Sequence, residues 1–335
     1  MSSSTTVFVS GATGYIAQHI VKELLTNGYK VIGSARSEAK GKDLKDLVNS
    51  ENFSYVVIPD ISVVGAFDQA LKDHPEISVF IHAASPVVFY TTDPKKDVID
   101  PAVEGTKNVL NAIKQHGTNV SRLVVTSSTA AILPGLDFVK DKVFTEDDWN
   151  PCTIEIGISE PSKSYFVSKT FAEKAVWEFV KTQEPHFQVS VVNPSFVFGP
   201  QAYEIKDKSK LNSSSEILAG IFRSKADDQF PQLAGVSIDV RDVAKAHLVG
   251  FEKDEAINKR LLLSNELFTP DLAAHIIKKN FPDYQGPSGD LTRSDQIIEN
   301  AVSKIDSSRT NKILGFELIS LEESVIDAYK QFIGA

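Results

Sequence analysis

The chain holds a single cysteine, Cys152, in 335 residues. One cysteine cannot close an intrachain disulfide, so a reducing compartment is expected, and a Cys-rich zinc site is excluded. No stretch approaches about 18 uninterrupted apolar residues, so no spanning helix is expected. The first residues, Met1-Ser2-Ser3-Ser4-Thr5-Thr6, carry no basic n-region and no apolar h-region, and do not read as a secretory signal. The final Phe332-Ile333-Gly334-Ala335 matches no lipidation or retention signal. The cytoplasm is what these absences leave. Basic residues are in deficit: 35 Lys and Arg against 44 Asp and Glu give a net charge of −9. An acidic chain has no electrostatic reason to hold nucleic acid or an anionic membrane. No repeat of about 20 to 50 residues is visible.

What is present is ordinary globular composition, 42% apolar and 24% charged. The length suits a core domain with an elaboration, or two domains. Strand and helix alternate from the start. Thr6–Val9 is a β-branched and aromatic run. A helical pattern through Ile16, Ile20, Val21, Leu24 and Leu25 follows it and stops at Asn27-Gly28. Further strands are expected at 30–33, 53–58, 77–83, 122–126 and 188–192. They are continuous apolar runs, as in a parallel sheet covered on both faces. The expectation is an α/β fold, a doubly wound parallel sheet of the Rossmann kind. Beyond about Pro194 the pattern changes. Residues 199–215 are polar, as in a loop or lid, and helices are expected at 214–223, 241–252, 270–280 and 320–332. Strand signals here are short, at 236–240 and 261–264. Residues 1–195, with 236–265 returning to them, are expected to bind the nucleotide. Residues 196–235 and 266–335 are expected to form a smaller, mixed substrate region.

Ser10-Gly11-Ala12-Thr13-Gly14-Tyr15-Ile16-Ala17 joins the first strand to the first helix. The spacing is GxxGxxA, not the usual dinucleotide GxGxxG. Gly11 permits a tight turn and Gly14 lets the backbone approach a pyrophosphate. The helix start offers free N–H groups and a positive dipole end. Gly11, Thr13, Gly14, Tyr15 and Ile16 are therefore candidate cofactor residues. An NAD site places an acid about 20 residues further on, for the ribose hydroxyls. The second strand instead ends Gly33-Ser34-Ala35-Arg36, with Lys40 one helical turn later. A guanidinium and an ammonium suit a 2′-phosphate, so NADP is expected. Asp60, with Ile61 beside it, is placed to meet an adenine amino group; it could equally cap a helix starting near Ser62.

Tyr165 and Lys169 stand four apart in a helical run from about Ser162 to Lys181 and share a face. A nearby ammonium favours the phenolate, which makes the pair an acid/base for a developing alkoxide. The strand end Thr126-Ser127-Ser128 lies where open α/β sheets bind ligands. Either serine could hold a substrate carbonyl oxygen there.

These segments, with His82-Ala83-Ala84-Ser85-Pro86, Asn193-Pro194-Ser195-Phe196-Val197-Phe198-Gly199-Pro200 and Ile238-Asp239-Val240-Arg241-Asp242-Val243, resemble the extended short-chain dehydrogenases over essentially the whole chain. More closely they resemble the yeast methylglyoxal reductase/isovaleraldehyde reductase group, relatives of the plant dihydroflavonol reductases. The resemblance implies Ser128 rather than Ser127 as the catalytic hydroxyl, beside Tyr165 and Lys169, with Lys169 also on the nicotinamide ribose. It implies Ala83, Ala84, Ser85 and Thr126 along the cofactor, Pro194 and Ser195 beside the nicotinamide, and Arg36 and Lys40 at the 2′-phosphate. It further implies reduction of methylglyoxal, 3-methylbutanal, diketones and aryl or keto-ester ketones by NADPH, in a pocket between the two regions.

At family pocket positions this chain carries Val87, Thr129, Leu133 and Phe196, where aromatics or a phenol are the pattern. A roomier, less polar pocket is the expectation, with Phe89 and Tyr90 as a possible aromatic wall. An epimerase or isomerase of the same fold, or a non-catalytic NADPH-sensing regulator, are the competing readings. Arg36 opposes the first and the complete Ser–Tyr–Lys set the second. No His or Cys pair has metal-ligand spacing, so no metal is expected. The expected partner is a small carbonyl compound, and a monomer or homodimer is the expected state.

Overall fold

The computed structural model describes residues 5–85, 91–135, 138–205, 207–209, 211 and 214–334. The first half runs β1 (Thr6–Ser10), α1 (Tyr15–Thr26), β2 (Lys30–Ala35), α2 (Glu38–Val48), β3 (Phe53–Val57), α3 (Asp68–Asp73), β4 (Ile77–His82), α4 (Asp100–His116) and β5 (Arg122–Thr126). After a short 3-10 turn at Thr129–Ala131 come β6 (Val143–Phe144), α5 (Ile154–Ser159), α6 (Ser164–Gln183), β7 (Gln188–Pro194) and β8 (Phe196–Phe198). The remainder is α7 (Ser215–Phe222), β9 (Gly235–Asp239), α8 (Val240–Glu252), β10 (Arg260–Leu263), β11 (Glu266–Phe268), α9 (Pro270–Asn280), α10 (Leu291–Ala301), β12 (Lys304–Ile305), α11 (Ser308–Leu314) and α12 (Leu321–Ile333).

Seven strands form one parallel sheet in the order β10-β7-β5-β4-β1-β2-β3. The order reverses between β1 and β4. That reversal opens a crevice at the carboxyl ends of the strands, where ligands bind in such sheets. The doubly wound α/β expectation holds. β1 is buried throughout, and its side chains split between two cores. Val7 and Val9 join Ile20, Leu24, Val243 and Phe251 on the face of α1 and α8. Phe8 joins Phe67, Phe80, Val109, Ile113 and Val176 on the face of α3, α4 and α6. Alternation within an all-apolar strand is what two covered faces require.

A second, three-stranded sheet has the order β11-β9-β8. Its aromatic core includes Phe198, Phe222, Phe268, Tyr284 and Tyr329. Residues 235–239 therefore pair within this small sheet, and the return to the large sheet is made by α8 and β10. The helix expected near Ser62 does not start there: α3 begins at Asp68, and Asp60 instead closes a turn by accepting from Ser62 N and Oγ at 2.8 and 2.6 Å. No helix of the described residues is long and apolar enough to cross a membrane.

His19, His82 and His247 are buried at 6%, 4% and 0% exposure. Burial holds His19 and His247 at about 4 and His82 at about 3. In the unfolded chain each titrates near 6.5, so the unfolded state binds more protons across the interval below that value. Stability is present above 6.5 and is lost as the pH falls towards the folded values. The expected loss is about 2 kcal/mol per histidine at pH 5, read as a falling melting temperature between pH 7 and pH 5. A melting temperature flat over that range would contradict it.

Candidate active site

β1 ends in Gly11, at φ +66°, whose backbone lies so close to β4 that a Cβ there would meet Ala84 Cα at 2.9 Å. Ser10 ties the two strand ends together. Its Oγ accepts from Ala83 N and Ala84 N, both at 3.0 Å, and bonds His82 Nδ1 at 2.9 Å. Gly14 is the N-cap of α1 and brings no side-chain cap. By contrast Ser37, Thr153, Asp239, Thr269, Asp290 and Ser320 cap their helices with side-chain oxygens. The first N–H groups of α1 are thus left for a ligand. Thr13 spends its carbonyl on Gln18 Nε2. Tyr15 buries its phenol on Gly199 O at 2.9 Å, so Tyr15 and Ile16 offer the crevice their backbone N–H groups.

Arg36 follows the end of β2 and is exposed, with Lys40 on the first turn of α2. Neither side chain has a hydrogen bond or ion pair among the described residues. The two Ser62 hydrogen bonds, and after them the charge of Arg36, hold the Asp60 carboxyl below its ordinary value. Ile61 packs over Gly105, and its carbonyl accepts from Asn108 Nδ2 at 2.9 Å.

At the end of β5 the two serines diverge. Ser127 Oγ donates to the carboxylate of Glu173 at 2.6 Å. Ser128 Oγ instead caps the following turn through Ala130 N at 3.1 Å and hydrogen-bonds the Tyr165 phenol. The structure thus brings Ser128, and not Ser127, to the Tyr165 phenol. The Thr126 hydroxyl is turned away to His247 Nε2 at 2.7 Å. Because Nδ1 of that ring must donate to Val243 O, Nε2 accepts and Thr126 donates. With its hydroxyl engaged there, Thr126 has its backbone left at the strand end for a cofactor.

Tyr165 opens α6 and Lys169 lies one turn on, its Nζ 5.9 Å from the Tyr165 ring centroid. Burial pushes the Lys169 ammonium down to about 8, while Glu173 pulls it back up. The phenol moves the other way from the expectation: loss of solvent raises Tyr165, and the Ser128 hydrogen bond offsets part of that. The reason is that the same burial opposes both charged forms, phenolate and ammonium. The phenol is thus held protonated.

β7 ends beside this group. Pro194 O accepts from Thr129 Oγ1 at 3.3 Å, and Asn193 Nδ2 donates to Ser128 O at 3.2 Å. Asn193 Oδ1 and Ser195 Oγ are buried with no partner among the described residues. Ala83, Ala84 and Ser85 are half-buried at the end of β4. Leu133 packs on Ile132, Phe144 and Leu262. Phe196 stacks on Phe198 and closes over Gly235. Val87, Phe89 and Tyr90 lie outside the described residues. Ser10, Glu173, Asn193 and Arg260 were not singled out from sequence as site residues; Ser10 and Asn193 stood within quoted segments, and Glu173 stands four residues after Lys169 on one helix face. No group of three His, Cys, Asp or Glu able to hold a metal occurs among the described residues.

A model of the NAD dependent epimerase/dehydratase family matches residues 7–261. The chain belongs to this family. Within it, the chain is 51% identical, over 100% of both chains, to a putative NADPH-dependent methylglyoxal reductase of Candida albicans. It is 41% identical to the NADPH-dependent methylglyoxal reductase of Saccharomyces cerevisiae, over 98% of each chain. The crystal structure of Candida albicans Gre2 in complex with NADPH matches with a TM-score of 0.94 at 44% identity, covering 99% of each chain. The yeast methylglyoxal/isovaleraldehyde reductase complexed with NADPH matches at 0.92 and 41%, covering 98% of each. A UDP-glucose 4-epimerase of Thermotoga maritima, 19% identical, shares the fold.

The residues present fit a dinucleotide of that kind. The uncapped start of α1, the glycine pressed against Ala84, the exposed cations at the end of β2 and the unpartnered Ser195 Oγ line one crevice edge of the sheet.

Proposed function

We propose that the chain is an NADPH-dependent reductase of small aldehydes and ketones, with Ser128, Tyr165 and Lys169 as its reacting side chains. The observation that carries this is the Ser128–Tyr165 hydrogen bond, with Lys169 one turn on, at the carboxyl edge of the sheet. NADPH, when bound, supplies hydride to the carbonyl carbon. Ser128 holds the carbonyl oxygen in place as negative charge gathers on it. Tyr165, kept protonated by its surroundings, gives its proton to that oxygen, because an alkoxide is a far stronger base than a phenolate. Lys169 stabilises the phenolate left behind and bonds the nicotinamide ribose. Gly11, Gly14 and the N–H groups of Tyr15 and Ile16 hold the pyrophosphate. Arg36, with Lys40, takes the 2′-phosphate.

Methylglyoxal, 3-methylbutanal, diketones and aryl or keto-ester ketones make up the substrate class. Thr129, Leu133 and Phe196 line the substrate pocket in this reading, and the apolar side chains of Leu133 and Phe196 favour bulky ketones. A lower KM for methylglyoxal than for an aryl ketone would count against that preference. The enzyme works in the cytoplasm as a monomer or homodimer; its one cysteine supports a reducing compartment.

Cofactor choice tests the reading. Arg36→Ala is expected to raise KM for NADPH by roughly 10- to 100-fold through the lost charged contact, with KM for NADH nearly unchanged. Equal effects on both cofactors, or none on either, would remove Arg36 from the 2′-phosphate.

A further inference from the structure

Glu173 is a charged residue with no access to solvent, and it is not one of the reacting groups. Its carboxylate is fully engaged. Oε1 accepts from Arg260 Nε at 2.5 Å and Trp177 Nε1 at 3.1 Å. Oε2 accepts from Ser127 Oγ at 2.6 Å, Asn193 Nδ2 at 2.7 Å and Arg260 Nη2 at 3.3 Å. Two of these donors reach the reacting groups. Ser127 is the chain neighbour of Ser128, and the Asn193 amide that bonds Glu173 also bonds Ser128 O. Arg260 in turn clasps the carbonyls of Glu146 and Asp148, in the segment that follows the Ser128 turn. A buried ion pair is a weak means of gaining stability, since desolvation offsets its attraction. One with two further partners, Ser127 and Asn193, that lead to the site points to a role there.

We propose that Glu173 is a positioning residue for carbonyl reduction: its carboxylate, clamped by Arg260, fixes Ser128 through Ser127 and Asn193 and provides the negative charge that Lys169 faces. The inference rests on the reading of Ser128, Tyr165 and Lys169 as the reacting set. The groups facing Lys169 are Tyr165 and Glu173 on its own helix and His82 from β4, with Arg260 behind Glu173. His82 is neutral over the working range, so Glu173 is the anion among them. Its attraction keeps the ammonium against the pull of burial.

The test is kinetic. In Glu173→Gln, kcat is expected to fall by roughly 10- to 100-fold through displacement of Ser128, with NADPH affinity nearly unchanged. The basic limb of the kcat–pH profile moves to lower pH, because Lys169 loses its anion. Arg260→Gln leaves the carboxylate without its cation, and moves the same limb to higher pH. Opposite shifts are something general loosening of the fold would not produce. Unchanged kcat and limb in Glu173→Gln would overturn the proposal, as would shifts of the same sign in both variants. If Glu173→Gln does not fold, the direction in Arg260→Gln decides alone: upward supports, unmoved or downward overturns. Tyr165→Phe, run alongside, separates the two readings. Full turnover in that variant would sink the reacting set itself, whereas its loss beside an unaffected Glu173→Gln would sink only this inference.

Discussion

Tyr165→Phe is expected to lower kcat for carbonyl reduction by roughly 10²- to 10⁴-fold, the range a general acid contributes. NADPH binding should stay nearly unchanged, measured by titrating the cofactor's fluorescence. The variant deletes one oxygen. That oxygen is the hydrogen-bond partner of Ser128 and the only proton donor the reading places at the substrate oxygen. The ring stays half-buried in the same helix turn, still beside Phe166 at 6.1 Å between centroids. A large fall in kcat with intact cofactor affinity therefore separates chemistry from folding. It also separates an enzyme from a regulator that only binds NADPH. Retained turnover would mean that another group protonates the product.

The second large effect concerns Gly11. Gly11→Ala is expected to abolish measurable NADPH binding, while Gly28→Ala leaves it intact. Both glycines have positive φ, +66° and +81°. Each substitution therefore carries a left-handed backbone strain of about 1 kcal/mol or more. They differ in space. A Cβ on Gly11 would meet Ala84 Cα and Cβ at 2.9 and 3.0 Å, whereas a Cβ on Gly28 would meet nothing within 4 Å. Ala84 Cα is backbone and cannot step aside without moving the end of β4, which Ser10 holds by two N–H bonds. The crevice floor must then shift. Comparing cofactor titrations and melting temperatures of the two variants isolates the contact from the strain. Equal losses of NADPH affinity would show that strain, not the β1–β4 approach, sets the site.

The large sheet was legible because burial on both faces leaves a continuous apolar run. Thr6–Val9 and Gln188–Val192 need no partner in sequence to be seen. Outside that sheet, reading fails for physical reasons. α10 (Leu291–Ala301) is predominantly polar and buries only Ser294. It is held by the Asp290 cap and by Arg293 pairing with Asp271, contacts made across 22 residues or fewer but invisible as periodicity. β6 and β12 are two residues each and exist only by pairing with one another. In the site, spacing alone found Tyr165 and Lys169 because one helix carries both. It could not choose between Ser127 and Ser128, because what draws the Ser127 hydroxyl away is Glu173, 46 residues further along the chain. Nor could it show that the Thr126 hydroxyl answers to His247, 121 residues on. The cofactor was legible by what is missing, an acid at the end of β2.

The most direct test of the central claim follows the hydrogen. The enzyme would be given an aryl ketone and NADPH deuterated at the transferable position of the nicotinamide, and the product examined by mass spectrometry. The account predicts an alcohol with one deuterium on its carbinol carbon, formed by the native chain and not detectably by Tyr165→Phe. Recovery of unreduced ketone from an enzyme that binds NADPH, or of alcohol without deuterium, would contradict it.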